Sequence, residues 1–249
     1  MVTYIAWLGA LVGAGVAYIG LRRRNIVTTV MGVALFGNAM TLSVFAPLLS
    51  LHGVREPIPH SARIQGAYWA IAGGAAMLAV LSTVLRDQHP DGTGSRPVRW
   101  IVAIAAAAAA SVITIPVCLA SAREPSDDFL NAYGYLPGVL VYELLFALWL
   151  GTPMATLAVV LWRSDLGRLR LVTLSGCVVG VIWASWKIVG ALLRYVADVQ
   201  LAAQSPVSVT LGCLAVVLGI GGIALLALPV VREARAYDRR RRTQDMRLG

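Results

Sequence analysis

The sequence predicts an all-α, polytopic membrane protein with seven transmembrane helices, an outside N-terminus and a cytoplasmic C-terminus. Hydrophobic residues make up 58% of the 249-residue chain and charged residues 13%, and the mean hydropathy is +0.75. A soluble domain carries roughly a quarter charged residues. Seven apolar stretches are long enough to cross a bilayer as helix, which takes about 20 residues. The arginines between these stretches fall mainly on alternate connections.

Helices are the default for these stretches because backbone polar groups inside lipid must pair within their own segment. The predicted spans are residues 3–21, 26–51, 65–85, 100–120, 136–162, 171–197 and 206–231. The connections are short, so residues 1–231 are predicted to form one transmembrane domain and residues 232–249 a basic cytoplasmic tail. The connection 121–135 is expected to be an external loop without a spanning helix.

The distribution of basic residues predicts the orientation. The first span has no basic residue before it, and Arg22-Arg23-Arg24-Asn25 follows it directly, which is a stop pattern rather than that of a cleaved signal peptide. Sixteen basic residues fall on one predicted face, namely Arg22, Arg23, Arg24, Arg86, Arg96, Arg99, Arg163, Arg168, Arg170, Arg232, Arg235, Arg239, Arg240, Arg241, Arg242 and Arg247. The positive-inside rule makes that face cytoplasmic. We therefore expect a multi-pass protein of a bacterial plasma membrane, the inner membrane.

The partners expected from the sequence are the lipid bilayer and, at the basic tail, anionic lipid headgroups. The other interpretation is that the basic tail only fixes the orientation of the protein in the membrane. The net charge of +9 arises mostly from the charge asymmetry, so no nucleic acid partner is predicted. A small-molecule or lipid ligand and a protein partner are both left open.

No cofactor and no metal are predicted. The chain has three cysteines and three histidines. The cysteines all fall inside predicted spans and the histidines all fall in connections: Cys118, Cys177 and Cys213, and His52, His60 and His89. An odd set of buried cysteines forms no disulfide framework. A haem held by intramembrane histidine pairs is excluded, and a metal site built from histidine, cysteine and carboxylate is not indicated.

Two charged residues interrupt apolar runs. Glu143 stands in "YELLFALWL" and Lys187, the one lysine of the chain, in "WASWKIVGALLRY". At 1.5 Å per residue, Glu143 lies roughly 10 Å and Lys187 roughly 15 Å below the outer ends of their spans. Isolated intramembrane charges are costly and usually pair or face a cavity. We predict that Glu143 and Lys187 form an ion pair or share a water-filled pocket.

Further polar and aromatic residues fall in the same outer half and complete the predicted ligand site. Arg194 follows Lys187 by seven residues, on the same helix face. The other candidates are Tyr142, Trp183, Trp186, Asn38 and Arg63. A buried ion pair that only fixes helix register is the alternative to a ligand, ion or substrate role. Catalytic residues are not predicted.

The stretch "DDFLNAYGYLPGVLVYELLFALWL" followed by "LGRLRLVTLSGCVVGVIWASWKIVGALL" resembles a family of actinobacterial multi-pass membrane proteins usually described as transporters. The matching positions are Phe129, Tyr133, Glu143, Leu169, Arg170, Gly176 and Lys187. The resemblance covers the second half of the chain, and the first half agrees by topology. It implies a transport function. The segment "EARAYDRRRR" is similar to the one that leads into the family's C-terminal soluble domain, which is not expected here.

The sequence leaves three functions open. The first is small-molecule transport or ligand binding through a polar pocket in the outer half of the bundle. The second is an intramembrane enzyme acting on a lipid or isoprenoid, as in terpene cyclases, with Glu143 as the acid. A nearby lysine would keep that carboxyl group ionised, and a second intramembrane carboxylate is lacking. The third is a non-catalytic membrane subunit or anchor for a partner protein.

Overall fold

A computed structural model describes residues 2–41, 60–87, 96–122, 129–163, 170–197, 199, 210–219 and 221–222, and all regular structure in these ranges is helical. Eight helices lie in the described ranges: α1 (Val2–Arg22), α2 (Ile26–Thr41), α3 (Ser61–Asp87), α4 (Arg96–Leu119), α5 (Phe129–Tyr133), α6 (Pro137–Arg163), α7 (Arg170–Ala197) and α8 (Thr210–Gly219). Four of them, α3, α4, α6 and α7, contain segments that are long and apolar enough to cross a membrane.

These four helices correspond to the predicted spans 65–85, 100–120, 136–162 and 171–197, and α1 corresponds to the first predicted span. Helix α2 occupies the first part of the predicted span 26–51, and α8 lies within the predicted span 206–231. The rest of both spans, the predicted boundary between residues 231 and 232, and the whole basic tail lie outside the described residues. The all-helical architecture with apolar spans is confirmed, and the count of seven and the orientation stay predictions.

The connection predicted as loop 121–135 contains α5, a helix of five residues. The sequence analysis missed it because one turn of helix carries no readable periodicity. Its residues Phe129 and Leu130 are buried, so tertiary packing holds this turn in place. Five residues span only about 7 Å as helix, far short of a bilayer.

Local hydrogen bonds explain where helices begin and end. Helix α1 stops because Arg24 adopts a left-handed conformation with φ 52°, and Asn25 N–H donates to Gly20 O at 2.9 Å in the manner of a Schellman cap. Asn25 then caps α2, since its Oδ1 accepts from Thr28 N–H at 3.0 Å. Pro137 opens α6 at a position where a missing N–H costs nothing.

Helix α3 occupies the centre of the described bundle and packs against α2, α4 and α6. Glycines permit the closest contacts. A Cβ atom on Gly37 would lie 2.9 Å from Gly73 Cα, and one on Gly73 would lie 2.9 Å from Asn38 N, so α2 and α3 touch backbone to backbone. Helices α6 and α7 also pack extensively. Small residues allow such approach in lipid, where van der Waals packing drives helix association.

A proline in α4 is compensated by a neighbouring helix. Pro116 lies inside α4 and has no N–H to donate to Val112 O, four residues earlier. Tyr68 of α3 fills this gap, because its hydroxyl donates to Val112 O at 3.2 Å. In lipid an unpaired carbonyl is costly, so this hydrogen bond both satisfies the Val112 carbonyl and joins α3 to α4.

The change Tyr68→Phe should lower the free energy of unfolding by about 1–2 kcal/mol, since it leaves the Val112 carbonyl without a donor. Reversible unfolding in detergent would measure this loss. Tyr4→Phe is the matched control, because Tyr4 is 80% exposed and its change should be within about 0.5 kcal/mol of zero. Equal effects of the two substitutions would contradict the role given to Tyr68.

Candidate functional site

Most of the predicted site residues lie at one end of the bundle, where α3 and α6 begin and α4 and α7 end. We call this the α5 end. Several contacts define it. His60, just before α3, makes a 2.7 Å hydrogen bond from Nε2 to Ala122 O, just after α4. A Cβ atom on Gly138, near the start of α6, would lie 3.0 Å from Ser121 Oγ, also after α4.

Three charged side chains are buried here. Glu143 of α6 is 6% exposed, and Lys187 and Arg194 of α7 are 6% and 7% exposed. The Glu143 oxygen Oε2 is buried and has no hydrogen-bond partner. Of the residues that the structure describes, only Glu143 and Asp87 are acidic, and Asp87 ends α3 at the opposite end of the bundle. The charges described at the α5 end are therefore mainly positive.

Aromatic rings line the interior next to these charges. Tyr142 is 1% exposed and stacks on Phe146 with ring centroids 6.1 Å apart. Phe146 meets the edge of Trp183 of α7 at 6.2 Å. The Lys187 ammonium Nζ lies 5.9 Å from the centre of the Trp183 ring, within the range of a cation–π attraction. A row of rings thus connects α6 with the lysine of α7.

Arg63 brings α3 into the same region. Its guanidinium carbon lies 4.1 Å from the centre of the Phe129 ring of α5, a close cation–π contact. The Phe129 ring also meets the His60 ring edge-on, with centroids 5.0 Å apart, and the Tyr133 ring at a tilt, with centroids 5.4 Å apart. The Tyr142 phenol also lies within electrostatic reach of Arg63 and of Glu143. Arg63 therefore links the aromatic rings of α5 with the charged part of α6.

Arg194 is held at the turn between α5 and α6. A Cβ atom on Gly134 would lie 3.2 Å from Arg194 Cδ and 3.4 Å from Arg194 Cβ. The stem of the arginine thus packs flat on a residue without a side chain, which explains how so long a side chain is 7% exposed. Lys187 and Arg194 occupy the buried face of α7, together with Thr173, Gly176, Cys177, Gly180, Trp183, Ala184, Gly190 and Ala191.

Two predicted site residues lie apart from this cluster. Trp186 is 47% exposed and lies outside the buried face of α7. Asn38 of α2 donates from Nδ2 to Ala34 O at 2.9 Å and borders a cavity of about 40 Å³, between α2, α3, α6, α7 and α8. Thr173 borders the same cavity, and its buried hydroxyl has no hydrogen-bond partner. The walls are otherwise formed by Leu35, Met77, Met154, Leu157, Gly176, Cys177, Ala215, Val216 and Gly219.

A second cavity lies beside the first half of α3. It measures about 460 Å³, is open on one side and is lined by Ser61, Ile64, Gln65, Tyr68, Trp69 and Ala72. Neither cavity is lined by Glu143 or Lys187. Within the described ranges no group of three histidine, cysteine or acidic residues is placed to hold a metal ion, and the three cysteines are free thiols.

Sequence reasoning did not predict which residues surround the charged side chains at the α5 end. These residues are His60, Phe129, Tyr133, Gly134 and Phe146. Phe129 and Tyr133 entered only through the family resemblance. His60 has a positive φ of 63° and contacts Ala122, 62 residues away. No local pattern in the sequence could signal such a contact, whereas the spacing of Tyr142 and Phe146 by one helical turn could have indicated a stacked pair.

Comparison of the chain with protein-family models, with curated proteins and with solved structures finds no match. The resemblance to actinobacterial multi-pass transporters therefore stays a prediction. The functional argument rests on the geometry of the α5 end and on the apolar helices around it.

Proposed function

We propose that this chain is a seven-span protein of a bacterial plasma membrane that binds and transports a small polar molecule. In this proposal the α5 end faces outside and the tail is cytoplasmic, as the charge distribution predicts. The ligand site comprises Glu143, Lys187 and Arg194, with Tyr142, Trp183 and Arg63 around them. The proposed membership of the actinobacterial transporter family agrees with this role.

One observation carries the proposal: three charged side chains, each no more than 7% exposed, lie at the same end of an apolar helical bundle. A structural ion pair accounts for two charges of opposite sign, but not for a third. Ionisable residues inside membrane-spanning segments generally face a cavity or a permeation route and mark substrate or ion pathways. The surplus of positive charge favours a ligand that carries an anionic group.

An enzyme that protonates an isoprenoid is less well supported. In the described part of the chain, Glu143 is the single acidic residue at the α5 end. Transport or ligand binding requires no second carboxylate, so it fits the described residues better.

The test is a thermal-shift screen of the purified protein in detergent against amino acids, organic acids, sugars and nucleosides. We expect one class of anionic solute to raise the melting temperature, because a ligand that binds only the folded state stabilises it. The shift should be lost in Lys187→Met and in Arg194→Met. Arg99→Met is the control, since Arg99 is exposed on α4, and it should retain the shift.

Uptake of the identified solute into proteoliposomes then separates transport from binding alone. A solute that stabilises all three variants equally would contradict the site. A screen in which only isoprenoids or lipids stabilise the protein would contradict transport of a polar molecule and support the enzyme, and stabilisation only by a co-purifying polypeptide would support the subunit role.

A further inference from the structure

Glu143 is the one described residue at the α5 end that is both acidic and buried. Its Oε2 oxygen has no hydrogen-bond partner. A carboxylate oxygen without a donor in an apolar interior is unfavourable, because the charge has lost its water and received no hydrogen bond in return.

Positively charged side chains lie at the same end of the bundle as the Glu143 carboxyl group. Arg63 and Glu143 both lie within electrostatic reach of the Tyr142 phenol, and Lys187 and Arg194 are buried in the second half of α7. Cations favour the ionised form of a carboxyl group. Glu143 therefore combines apolar burial and a buried oxygen without a donor with positively charged neighbours at the same end of the bundle.

Several other ionisable groups lie near the α5 end. On the elements packed around the outer half of α6 they are His60, Arg63, Tyr68, Cys118, Tyr133, Lys187 and Arg194, with Tyr142 on α6 itself. The arginines stay charged in proteins. His60 uses Nε2 for its hydrogen bond to Ala122 O, and Tyr68 uses its hydroxyl for Val112 O.

The space beside Glu143 limits what the carboxyl group can bind. Glu143 lies in the part of α6 that contributes Val139, Tyr142 and Phe146 to the largest apolar cluster of the described residues, and it lines neither of the two cavities given above. A hydrated cation needs volume directly beside the carboxylate that binds it. A proton needs none, because it forms an O–H bond on the oxygen itself.

We propose that Glu143 is a proton-binding site and that a proton is the coupling ion of the transport function. The coupling rests on the proposed function, whereas the proton binding does not. In the step, a hydronium ion of the water that reaches the α5 end gives a proton to the Glu143 carboxylate: one O–H bond of hydronium breaks, an O–H bond forms at Oε2, and a water molecule is left. The reverse step returns that proton to water when the site is exposed again, so no oxidant or other reactant is required.

The test uses the full-length protein in lipid nanodiscs and infrared difference spectra between acidic and alkaline buffer. A protonated carboxyl group has a C=O stretching band that its ionised form lacks. The wild-type protein should show such a band from a buried carboxyl group at acidic pH. Glu143→Gln should lose it, and Asp87→Asn should keep it, because Asp87 lies at the far end of α3.

A second pair of variants keeps the proposal testable if Glu143→Gln does not fold. Glu143→Asp retains a carboxyl group and should shift the frequency of the band. Arg63→Met removes a cation that favours ionisation, so the protonated form should persist to higher pH and the midpoint of the band should move upward. A purely structural carboxylate would show no midpoint to move.

Identical difference spectra for wild type and Glu143→Gln, or an unchanged frequency in Glu143→Asp, would overturn the proposal. The solute screen described above gives an independent result. A protein that shows the Glu143 band but is stabilised by no solute would refute the transport function and leave proton binding intact. A protein that binds a solute but shows no band would refute the proton proposal alone.

Discussion

Replacing Lys187 with methionine should destabilise the protein more than replacing Lys187 and Glu143 together. The single change leaves the buried Glu143 carboxylate, 6% exposed, without the partner predicted for it. Stranding a buried charge costs about 3–5 kcal/mol, whereas removing both members of a pair is often nearly neutral. We therefore expect Lys187→Met to unfold at much lower denaturant than Lys187→Met with Glu143→Gln.

This comparison is a double-mutant cycle. Reversible unfolding in mixed detergent micelles would measure how the free energy of unfolding changes in Glu143→Gln, in Lys187→Met and in the double variant. Arg99→Met on the exposed side of α4 controls for loss of a positive charge and should change stability by less than about 0.5 kcal/mol. Additive single effects would show that the two side chains do not interact. A double variant that folds and retains solute binding would assign the pair a structural role only.

Gly73→Leu should prevent α2 from packing on α3. A Cβ atom at this position would lie 2.9 Å from Asn38 N and 3.1 Å from Ala34 O, both backbone atoms of α2. Backbone atoms cannot turn aside as a flexible side chain can, so the two helices would have to separate. Overpacking costs about 1–3 kcal/mol for small insertions, and a leucine here should exceed that range and abolish the folded state.

Gly15→Leu is the matched control, because a Cβ atom on Gly15 has nothing within 4 Å and the residue is exposed on α1. Leucine is also a better helix former than glycine. Gly15→Leu should therefore be neutral or slightly stabilising, while Gly73→Ala should fall between wild type and Gly73→Leu. Size-exclusion profiles and melting temperatures would rank the variants, and a stable Gly73→Leu protein would contradict the close contact of α2 and α3.

Local properties of the sequence predict the helices of this protein well. The predicted spans 136–162 and 171–197 agree within a residue or two with α6 and α7, because the length of an apolar run depends only on neighbouring residues. The same reasoning identified Glu143 and Lys187 as exceptional, since a charge inside an apolar run is visible without any knowledge of packing. Both are buried, as expected of an inward-facing charge.

Helix period explains one difference within the predicted site. Trp183 and Trp186 look equivalent in sequence, yet Trp183 is 4% exposed and Trp186 is 47% exposed. Successive residues of a helix are about 100° apart. Lys187 follows Trp183 by about one turn and lies on the same buried face, whereas the neighbouring Trp186 points in a different direction. Which direction is buried depends on the helices that pack against α7, and that is a property of the tertiary structure.

The sequence by itself determined the membrane-compatible composition, the main apolar helices and the charged residues that interrupt them, because each is set by residues adjacent in the chain. Only the tertiary structure decided how distant residues meet: Arg63 on Phe129, Arg194 on Gly134 and Tyr68 on the carbonyl of Val112. It also placed Asn38 at a separate cavity. These contacts join different helices, and the direction in which each helix packs is a long-range choice that no local pattern encodes.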